Sequence, residues 1–310
     1  MTPLVLVHGR DPGGRDGDEV EALWLAALNA GLDAAGSQLR VSDDDASFVY
    51  YGDTLAALVR EPGGAPPPVT VHAVGVDAPA VDGLPEHEAA FVLAVAREVL
   101  RGAGTDEPGI QAQAEIRDSI QAILATVLAL IDRHLPAVGA AVVLLLARDV
   151  YAYLHDDEVR SVLDAALEAA IPTDEPAVVV AHSLGSVIAY RVLRDAEPGR
   201  WDVPLFVSLG SPLAIRAIRD VLRAEAPLRV PPVVRRWVDV RDRRDILAVH
   251  GLTPEAFPLE PGSPAIEVLE VDNEAPAHHG AAELVGARPV GYLAVPAVAG
   301  LIDEPMTDAR

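Results

Sequence analysis

The chain has 310 residues, and its 24 basic residues, all of them arginine, face 47 acidic ones for a net charge of −23. This balance argues against nucleic acid as a partner, because neutralising phosphates requires a surplus of Lys and Arg, and it argues equally against docking to an anionic membrane. The lack of Cys and Lys excludes thiolate nucleophiles, Schiff bases and P-loop phosphate binding, so any nucleophile is a hydroxyl, a carboxylate or a His.

The first part of the chain predicts two strands separated by a long helix. An apolar run at 3–8 is typical of a buried parallel strand, and apolar residues in 18–35 repeat at helical spacing before Gly36. Residues 48–51 predict a second strand, whereas 61–84, rich in Pro and Gly, predicts a loop with at most one short strand. The N-terminus lacks a cationic region before its apolar run, so we expect no signal peptide and a cytoplasmic protein.

Residues 86–170 carry an almost wholly helical pattern, which is more helix than one crossover between neighbouring strands needs. We therefore expect a single domain, 1–310, with a helical insertion at 105–160. The uncharged run 135–147 is shorter than the roughly 20 residues that span a bilayer, so it predicts a buried helix and no stable membrane insertion. We hypothesise that the insertion forms an apolar lid over a pocket.

After residue 176 the pattern alternates regularly between strand and helix. Strands alternating with helices of 10 to 15 residues are typical of a parallel sheet covered by helices, which makes the fold class α/β. The predicted strands are 178–181, 204–208, 233–240 and 266–271, and the predicted helices are 184–195, 212–224 and 292–302.

The most informative segment is V-V-V-A-H-S-L-G-S-V-I-A-Y at 178–190. A buried strand leads directly into Ser183 and an apolar helix follows at once. A strand–turn–helix elbow of this kind exposes a nucleophilic hydroxyl at the end of a sheet, and its sharp turn requires small residues two before and two after the serine. Ala181 and Gly185 meet that requirement, although the usual pattern has Gly at the first of these positions.

With this elbow the sequence resembles the α/β-hydrolase superfamily, in a lipase- or esterase-like branch. The resemblance extends to L-V-L-V-H-G at 4–9, V-S-L-G-S-P-L at 207–213 and W-V-D-V-R-D-R-R-D-I-L-A at 237–248, and it is weak for 105–170. It implies an α/β-hydrolase fold, with a mostly parallel central sheet, helices on both faces and a helical insertion. It also implies a Ser-His-Asp triad in the chain order Ser, acid, His.

Three histidines downstream of Ser183 are candidates for the base that accepts its proton. His250 lies within ten residues of the acid segment and has no strand before it, whereas His278 and His279 follow the strand predicted at 266–271. The resemblance favours His279, because H-G followed by G-Y-L-A-V-P-A-V-A is similar to the His segment and last helix of related hydrolases. Residues 281–290 form an apparent insertion between those two parts, so His278 remains an alternative.

The acid that orients the base has candidates at Asp239, Asp242 and Asp245. Asp239 lies inside the predicted strand, whereas the other two lie beyond its carboxyl end, where catalytic groups of open α/β sheets collect. Asp245 precedes two apolar residues, as the acid of the resembling family does, and we prefer it with Asp242 as the alternative.

The predicted oxyanion hole combines the amide of Leu184, which follows the nucleophile, with an amide from the loop at Gly9 and Arg10. Such donors each contribute on the order of 3–4 kcal/mol to lowering a barrier, and glycine allows close approach of the backbone. We expect no metal, since adjacent histidines such as His278 and His279 rarely share one ion. We expect no cofactor, since no G-x-G-x-x-G motif follows a strand.

These observations together predict a serine esterase that cleaves carboxylic esters through an acyl-enzyme intermediate. The strongly acidic chain repels anions at long range, which favours a neutral or apolar acyl substrate. Two alternatives remain: a thioesterase or acyltransferase with the same triad, and a non-catalytic binding module of the same fold.

Overall fold

Parallel strands form the centre of the fold in the computed structural model, which describes residues 1–9, 16–60, 81, 83–104, 119–136 and 138–307. The main strands are β1 (Leu4–Val7), β2 (Ala46–Val49), β3 (Val178–His182), β4 (Phe206–Leu209), β5 (Trp237–Arg241) and β6 (Glu267–Glu270). They form one six-stranded sheet in the order β2-β1-β3-β4-β5-β6, and every neighbouring pair is parallel. The predicted parallel sheet is thus confirmed.

Helices precede, follow and connect these strands. They are α1 (Gly17–Ala35), α2 (Gly52–Arg60), α3 (Glu86–Gly102), α4 (Ile120–His134), α5 (Gly139–His155), α6 (Asp157–Ala170), α7 (Leu184–Asp195), α8 (Arg216–Glu225) and α9 (Pro296–Thr307). A separate antiparallel hairpin joins β7 (Glu283–Val285) to β8 (Arg288–Val290).

Two hydrophobic cores lie on opposite faces of the sheet, because successive side chains of a strand point to opposite sides. In β1, Val5 and Val7 join the core that contains α3 to α7, whereas Leu4 and Leu6 join the core that contains α1 and α9. All four residues are buried. Burial on both faces explains why the central strands are apolar throughout instead of alternating.

The segment between β2 and β3 is helical over the residues that the structure describes, as the pattern of 86–170 predicts. Residues 105–118, the first part of the predicted insertion, lie outside the described residues. In α5, Val143, Leu144 and Ala147 are buried in the core that also contains α7, whereas Val142 on the same helix is exposed. Among the described residues, no helix is long and apolar enough to cross a membrane.

Several element boundaries differ from the predictions. The second strand ends at Val49 and not at Tyr51, whose hydroxyl instead donates to the His8 carbonyl oxygen at 2.7 Å. The helix predicted from residue 212 begins at Arg216. The last helix begins at Pro296, a residue suited to the first helical turn because its missing N–H needs no partner there. The hairpin of β7 and β8 accounts for the apparent insertion at 281–290, and residues 61–80 lie outside the described residues.

Candidate active site

Ser183 occupies a sharp turn between β3, which ends at His182, and α7, which begins at Leu184. Its backbone has φ +50° and ψ −123°, a conformation that costs a non-glycine residue free energy and persists only where the surroundings enforce it. The elbow packs against the end of β1 so closely that a Cβ on Gly185 would lie 2.3 Å from the carbonyl oxygen of His8. Glycine is therefore required two residues after the serine, as the sequence pattern predicts.

The structure brings Ser183, His279 and Asp245 into one chain of hydrogen bonds. Ser183 Oγ lies 2.9 Å from His279 Nε2, and His279 Nδ1 lies 2.8 Å from Asp245 Oδ2. These residues belong to three separate segments, which follow β3, β5 and β6. Ser183 and Asp245 are buried, and the His279 side chain is 17% exposed. A hydroxyl, an imidazole and a carboxylate in this order can move a proton from the hydroxyl to the ring.

Asp245 has hydrogen-bond donors on both carboxylate oxygens. Oδ1 accepts from the backbone amides of Leu247 and Ala248, at 3.0 and 3.2 Å. Oδ2 accepts from His279 and from the hydroxyl of Tyr292, which lies 2.7 Å away. With donors from the backbone on one side and from side chains on the other, the carboxylate cannot rotate without losing a bond.

The alternative acid, Asp242, holds a different set of partners. It accepts from the Arg244 guanidinium and backbone amide and from the amide of Asn273. Burial disfavours its charge, but these donors prevail and lower the pKa of Asp242 to about 2. The carboxylate is thus an ionised anchor that ties the turn after β5 to the segment after β6. No described hydrogen bond joins it to His279 or Ser183.

The other histidine candidates lie away from Ser183. His278 donates from Nδ1 to the carbonyl oxygen of Asn273 at 2.8 Å, and that nitrogen is 4.0 Å from Asp242 Oδ2. His250 lies 3.5 Å from Glu98 and is about half exposed. Of the three downstream histidines, His279 is the one that the structure places against the serine hydroxyl.

Asn273 holds the loop that carries His279 in place, and no local sequence pattern predicted this role for Asn273. Its side-chain amide donates to the carbonyl oxygens of His278 and Gly280, at 3.1 and 3.0 Å, on either side of His279. The side-chain oxygen of Asn273, Oδ1, accepts from Ala275 N at 2.9 Å. The residue is completely buried. A single side chain thus fixes the backbone before and after the imidazole.

Two buried histidines flank the elbow. His182 lies beside His279, with ring centroids 4.7 Å apart, and its Nε2 donates to the His279 carbonyl oxygen at 2.7 Å. His8 packs edge-on against Tyr51. Burial lowers the pKa of His182 well below its ordinary value and lowers that of His8 to about 4. Both rings are therefore neutral near pH 7, so neither adds a positive charge beside His279.

The predicted oxyanion-hole residues are only partly described. Leu184 is the first residue of α7, where backbone amides lack partners within the helix. Gly9 lies against the elbow, since a Cβ on it would be 2.9 Å from Ser183 Cβ and 2.6 Å from His182 Nδ1. Leu184 and Gly9 both adjoin Ser183, and Arg10 lies outside the described residues.

Gly210 is a further residue that the sequence analysis did not single out. It follows β4 with φ +54°, and a Cβ there would lie 3.0 Å from Asp245 Oδ2 and 3.1 Å from His279 Nδ1. Any side chain would press on the contact between these two groups. The motif V-S-L-G-S-P-L contains the glycine, but its role depends on two segments that are distant in sequence.

Among the described residues, no cluster of three or more His, Asp or Glu side chains is arranged to hold a metal ion. No protein-family model matches the chain, and no similar sequence is found among curated proteins. The chemistry that these residues can perform therefore has to be inferred from the geometry of the site.

Proposed function

We propose that this protein is a lipase- or esterase-like serine hydrolase that cleaves carboxylic esters through an acyl-enzyme intermediate. The observation that carries the proposal is the chain of hydrogen bonds from Ser183 Oγ through His279 to Asp245, at 2.9 and 2.8 Å, which begins on a strained turn. A serine hydroxyl attacks poorly by itself, and a base oriented by a carboxylate activates it. A purely structural serine has no need of such a base.

The reaction follows from the roles of these atoms. Ser183 Oγ forms a bond to the ester carbonyl carbon while its proton moves to His279 Nε2, and the carbonyl electrons pass to an oxyanion. The amides of Leu184 and Gly9 are our candidates to stabilise that oxyanion. When the intermediate collapses, the ester C–O bond breaks and His279 returns the proton to the alcohol. Water then attacks the acyl-enzyme by the same sequence of transfers and releases the acid.

The topology supports an α/β-hydrolase fold for this chemistry. In open parallel sheets, ligands bind beyond the carboxyl ends of strands where connections diverge to opposite faces. Here β1 and β3 are neighbours, α1 packs on one face of the sheet and α7 on the other. Gly9 and Ser183 follow these two strands. The order Ser, acid, base along β3, β5 and β6 is the order expected for this fold.

The acyl substrate that we propose is neutral or apolar. With a net charge of −23, the protein repels anionic molecules at long range and slows their association. Thioesters and transfer of the acyl group to an acceptor other than water would use the same residues. Comparing the hydrolysis of p-nitrophenyl esters with that of matched thioesters, over a range of acyl lengths, distinguishes these substrates.

The first experiment asks whether Ser183 is an activated nucleophile. We expect a fluorophosphonate probe to label the wild-type protein and p-nitrophenyl esters to be hydrolysed. We expect Ser183→Ala to abolish both, while the circular dichroism spectrum stays unchanged. Ser161→Ala is the matched control, because Ser161 is an exposed helix residue whose hydroxyl donates to the Glu158 carbonyl oxygen. A wild-type protein that neither reacts with the probe nor hydrolyses any ester would favour the binding module, and labelling that survives Ser183→Ala would refute the assignment of the nucleophile.

A further inference from the structure

The hydroxyl of Tyr292 joins both ends of the turn that carries Asp245. It lies 2.7 Å from Asp245 Oδ2 and 2.9 Å from the backbone nitrogen of Asp242. The turn is itself closed by a hydrogen bond from Asp245 N to Asp242 O at 3.0 Å. Tyr292 comes from the short turn before α9, and its side chain is completely buried. Tyr292 therefore links the turn that carries Asp245 to the C-terminal part of the chain.

The direction of these hydrogen bonds is determined by chemistry. A backbone N–H can only donate, so the Tyr292 oxygen accepts from Asp242 N. The single phenolic proton is then available for Asp245 Oδ2, because an ionised carboxylate carries no proton and can only accept. Burial, reinforced by the nearby negative charge of Asp245, raises the pKa of Tyr292 above its ordinary value. Tyr292 thus remains protonated in the neutral range and can donate to Asp245.

We propose that Tyr292 is a positioning residue for the Ser183–His279–Asp245 triad, acting through the carboxylate oxygen that it shares with His279. This inference depends on the proposed hydrolase function. Tyr292 would fix the orientation of Oδ2 toward the imidazole and also limit how strongly that oxygen attracts the imidazolium that forms during the reaction. A hydrogen bond from the phenol delocalises part of the carboxylate charge, so less of it acts on the ring.

The environment of the shared oxygen supports this role. Gly210 approaches the same point, because a Cβ on it would lie 3.0 Å from both Asp245 Oδ2 and Tyr292 Cε2. Two side-chain donors therefore bond to Oδ2, and the space beside this oxygen is too small for an added methyl group. On the opposite carboxylate oxygen, two backbone amides hold the carboxylate independently of Tyr292. Removal of the phenolic hydroxyl should thus change the charge on Oδ2 without releasing Asp245.

The variant that tests the proposal is Tyr292→Phe, which removes the hydroxyl and retains the ring. We expect the apparent pKa of the acid limb of kcat/KM to rise by about half a unit to one unit, because the carboxylate attracts the imidazolium more strongly without the phenolic hydrogen bond. A shift of this size corresponds to the net free energy of one hydrogen bond. We also expect kcat to fall about tenfold with little change in KM, since Tyr292 orients Oδ2 toward His279 and is itself completely buried. A merely structural role would lower thermal stability and leave the acid limb where it is.

The control is Tyr153→Phe. Tyr153 is also completely buried and also donates to a carboxylate, Asp164, at 2.7 Å, but it joins α5 to α6 away from Ser183. We expect this variant to lose comparable stability and to keep the wild-type pH profile. An acid limb that stays in place or moves to lower pH in Tyr292→Phe would overturn the proposal.

Other charged groups near the base have to be separated from this effect. Among the described residues, these groups include Asp245, Asp242 and Arg244 on the turn after β5, His182 on β3, His278 next to the base, and Glu283, whose carboxylate lies against Gly280. The lowered pKa values keep His182 neutral and Asp242 ionised through the neutral range. Repeating both profiles in a His278→Gln background removes the remaining histidine, and the upward shift should persist.

A readout without catalysis separates this proposal from the proposed function. The proton between His279 Nδ1 and Asp245 Oδ2 gives a downfield proton resonance whose position depends on the charge of the acceptor. We expect Tyr292→Phe to move that resonance and Tyr153→Phe to leave it in place. If the wild-type protein neither reacts with the fluorophosphonate probe nor hydrolyses any ester, the hydrolase proposal fails whatever the resonance does. If the probe reacts and the resonance is unmoved by Tyr292→Phe, the positioning role alone fails.

Discussion

Backbone conformation separates the adjacent histidines His278 and His279. Ala277 and His278 have φ values of +56° and +58°, whereas His279 returns to −109°. Two consecutive residues in the left-handed region, neither of them glycine, are costly and need support. Asn273 provides it by holding the carbonyl oxygens on both sides of His279. As a result, the two rings have different partners, the Asn273 carbonyl for His278 and Asp245 for His279.

The first prediction compares these two neighbours. We expect His279→Ala to lower kcat by about 10³-fold or more, since a triad acts as a unit and loses nearly all of its effect with any member. His278→Ala should retain most of the activity, because the described partners of its ring are the Asn273 carbonyl oxygen and Asp242, and not Ser183. The measurement is steady-state kinetics on one p-nitrophenyl ester. An inactive His278→Ala with an active His279→Ala would reverse the assignment.

Some of these residues could be predicted from sequence because they lie in local patterns. Ser183 has a strand before it, a helix after it and small residues around it, and the structure places it against the preferred His279 and Asp245. Tyr292 and Asn273 have no such pattern. Tyr292 meets Asp245 across 47 residues, and its partners are a backbone amide and a carboxylate that the fold alone brings together. The catalytic roles of Ser183, His279 and Asp245 remain predictions, as do those of Gly9 and Leu184.

At the scale of elements, long periodic segments were predicted better than short ones. The helices α1 and α7 begin and end within a few residues of their predicted limits, because their apolar periodicity extends over many residues. The strand β3 does so as well, because its continuous apolar run leads directly into the elbow. The hairpin of β7 and β8 was not predicted, since three-residue strands are too short to show alternation. The helix α2 was also missed, because its sequence begins at Gly52, which we expected to end the preceding strand.

The helical insertion carries the second prediction, that its apolar run 135–147 lines an acyl pocket as part of a lid. Within this run Leu145 is partly buried on α5, whereas its neighbours Leu144 and Leu146 are buried in the core. We expect Leu145→Trp to change the ratio of kcat/KM for long and short acyl chains by about threefold or more, because added bulk excludes part of the chain. Labelling of Ser183 by a small fluorophosphonate should be unaffected.

A control on the next helix tests whether that effect is specific. Val162 is exposed on α6 and lies outside 105–160, so Val162→Trp introduces the same bulky side chain outside the predicted lid. The measurement is a series of p-nitrophenyl esters of increasing acyl length. Unchanged chain-length preference in Leu145→Trp, together with a lower melting temperature, would mean that the run serves only as part of the core.

At the scale of the whole molecule, the sheet order brings the site together. The carboxyl ends of parallel strands meet at one edge, and Ser183, Asp245 and His279 follow three strands of the same sheet. The sequence predicts a parallel sheet from its alternation of strands and helices. The order of the strands depends on which neighbours pair over long distances, and local patterns do not contain that information.

The sheet also encloses a carboxylate that the reaction does not use. Asp239 on β5 is buried, and its oxygens accept from the Ser208 hydroxyl at 2.8 Å and from Leu252 N at 3.0 Å. Ser208 in turn accepts from the indole N–H of Trp237 at 3.0 Å. Burial raises the pKa of Asp239 to about 6, although the hydrogen bonds act in the opposite direction. Its neutral form therefore predominates in the folded protein below about pH 6.

The consequence for stability has a definite sign. A carboxyl whose pKa rises on folding binds protons more tightly in the folded state, so it imposes no cost below the unfolded pKa of about 3.9. The cost appears as the pH rises between the two pKa values and is complete above the folded one. From the difference of about two units, it amounts to roughly 3 kcal/mol at pH 8. The folded protein should thus lose stability through this group between about pH 4 and pH 6.5.

The last prediction is that Asp239→Asn removes this dependence on pH. The amide cannot ionise, its oxygen can accept from Leu252 N, and its NH₂ can donate to Ser208 Oγ, which has a lone pair free for it. We expect the free energy of unfolding of the variant, relative to wild type, to increase by about 1 kcal/mol between pH 5.5 and pH 8. Urea unfolding followed by circular dichroism at both pH values gives this difference. Other titrating groups are shared by the two proteins and cancel. A difference that stays constant between the two pH values would mean that folding does not raise the pKa of Asp239, and would refute the prediction.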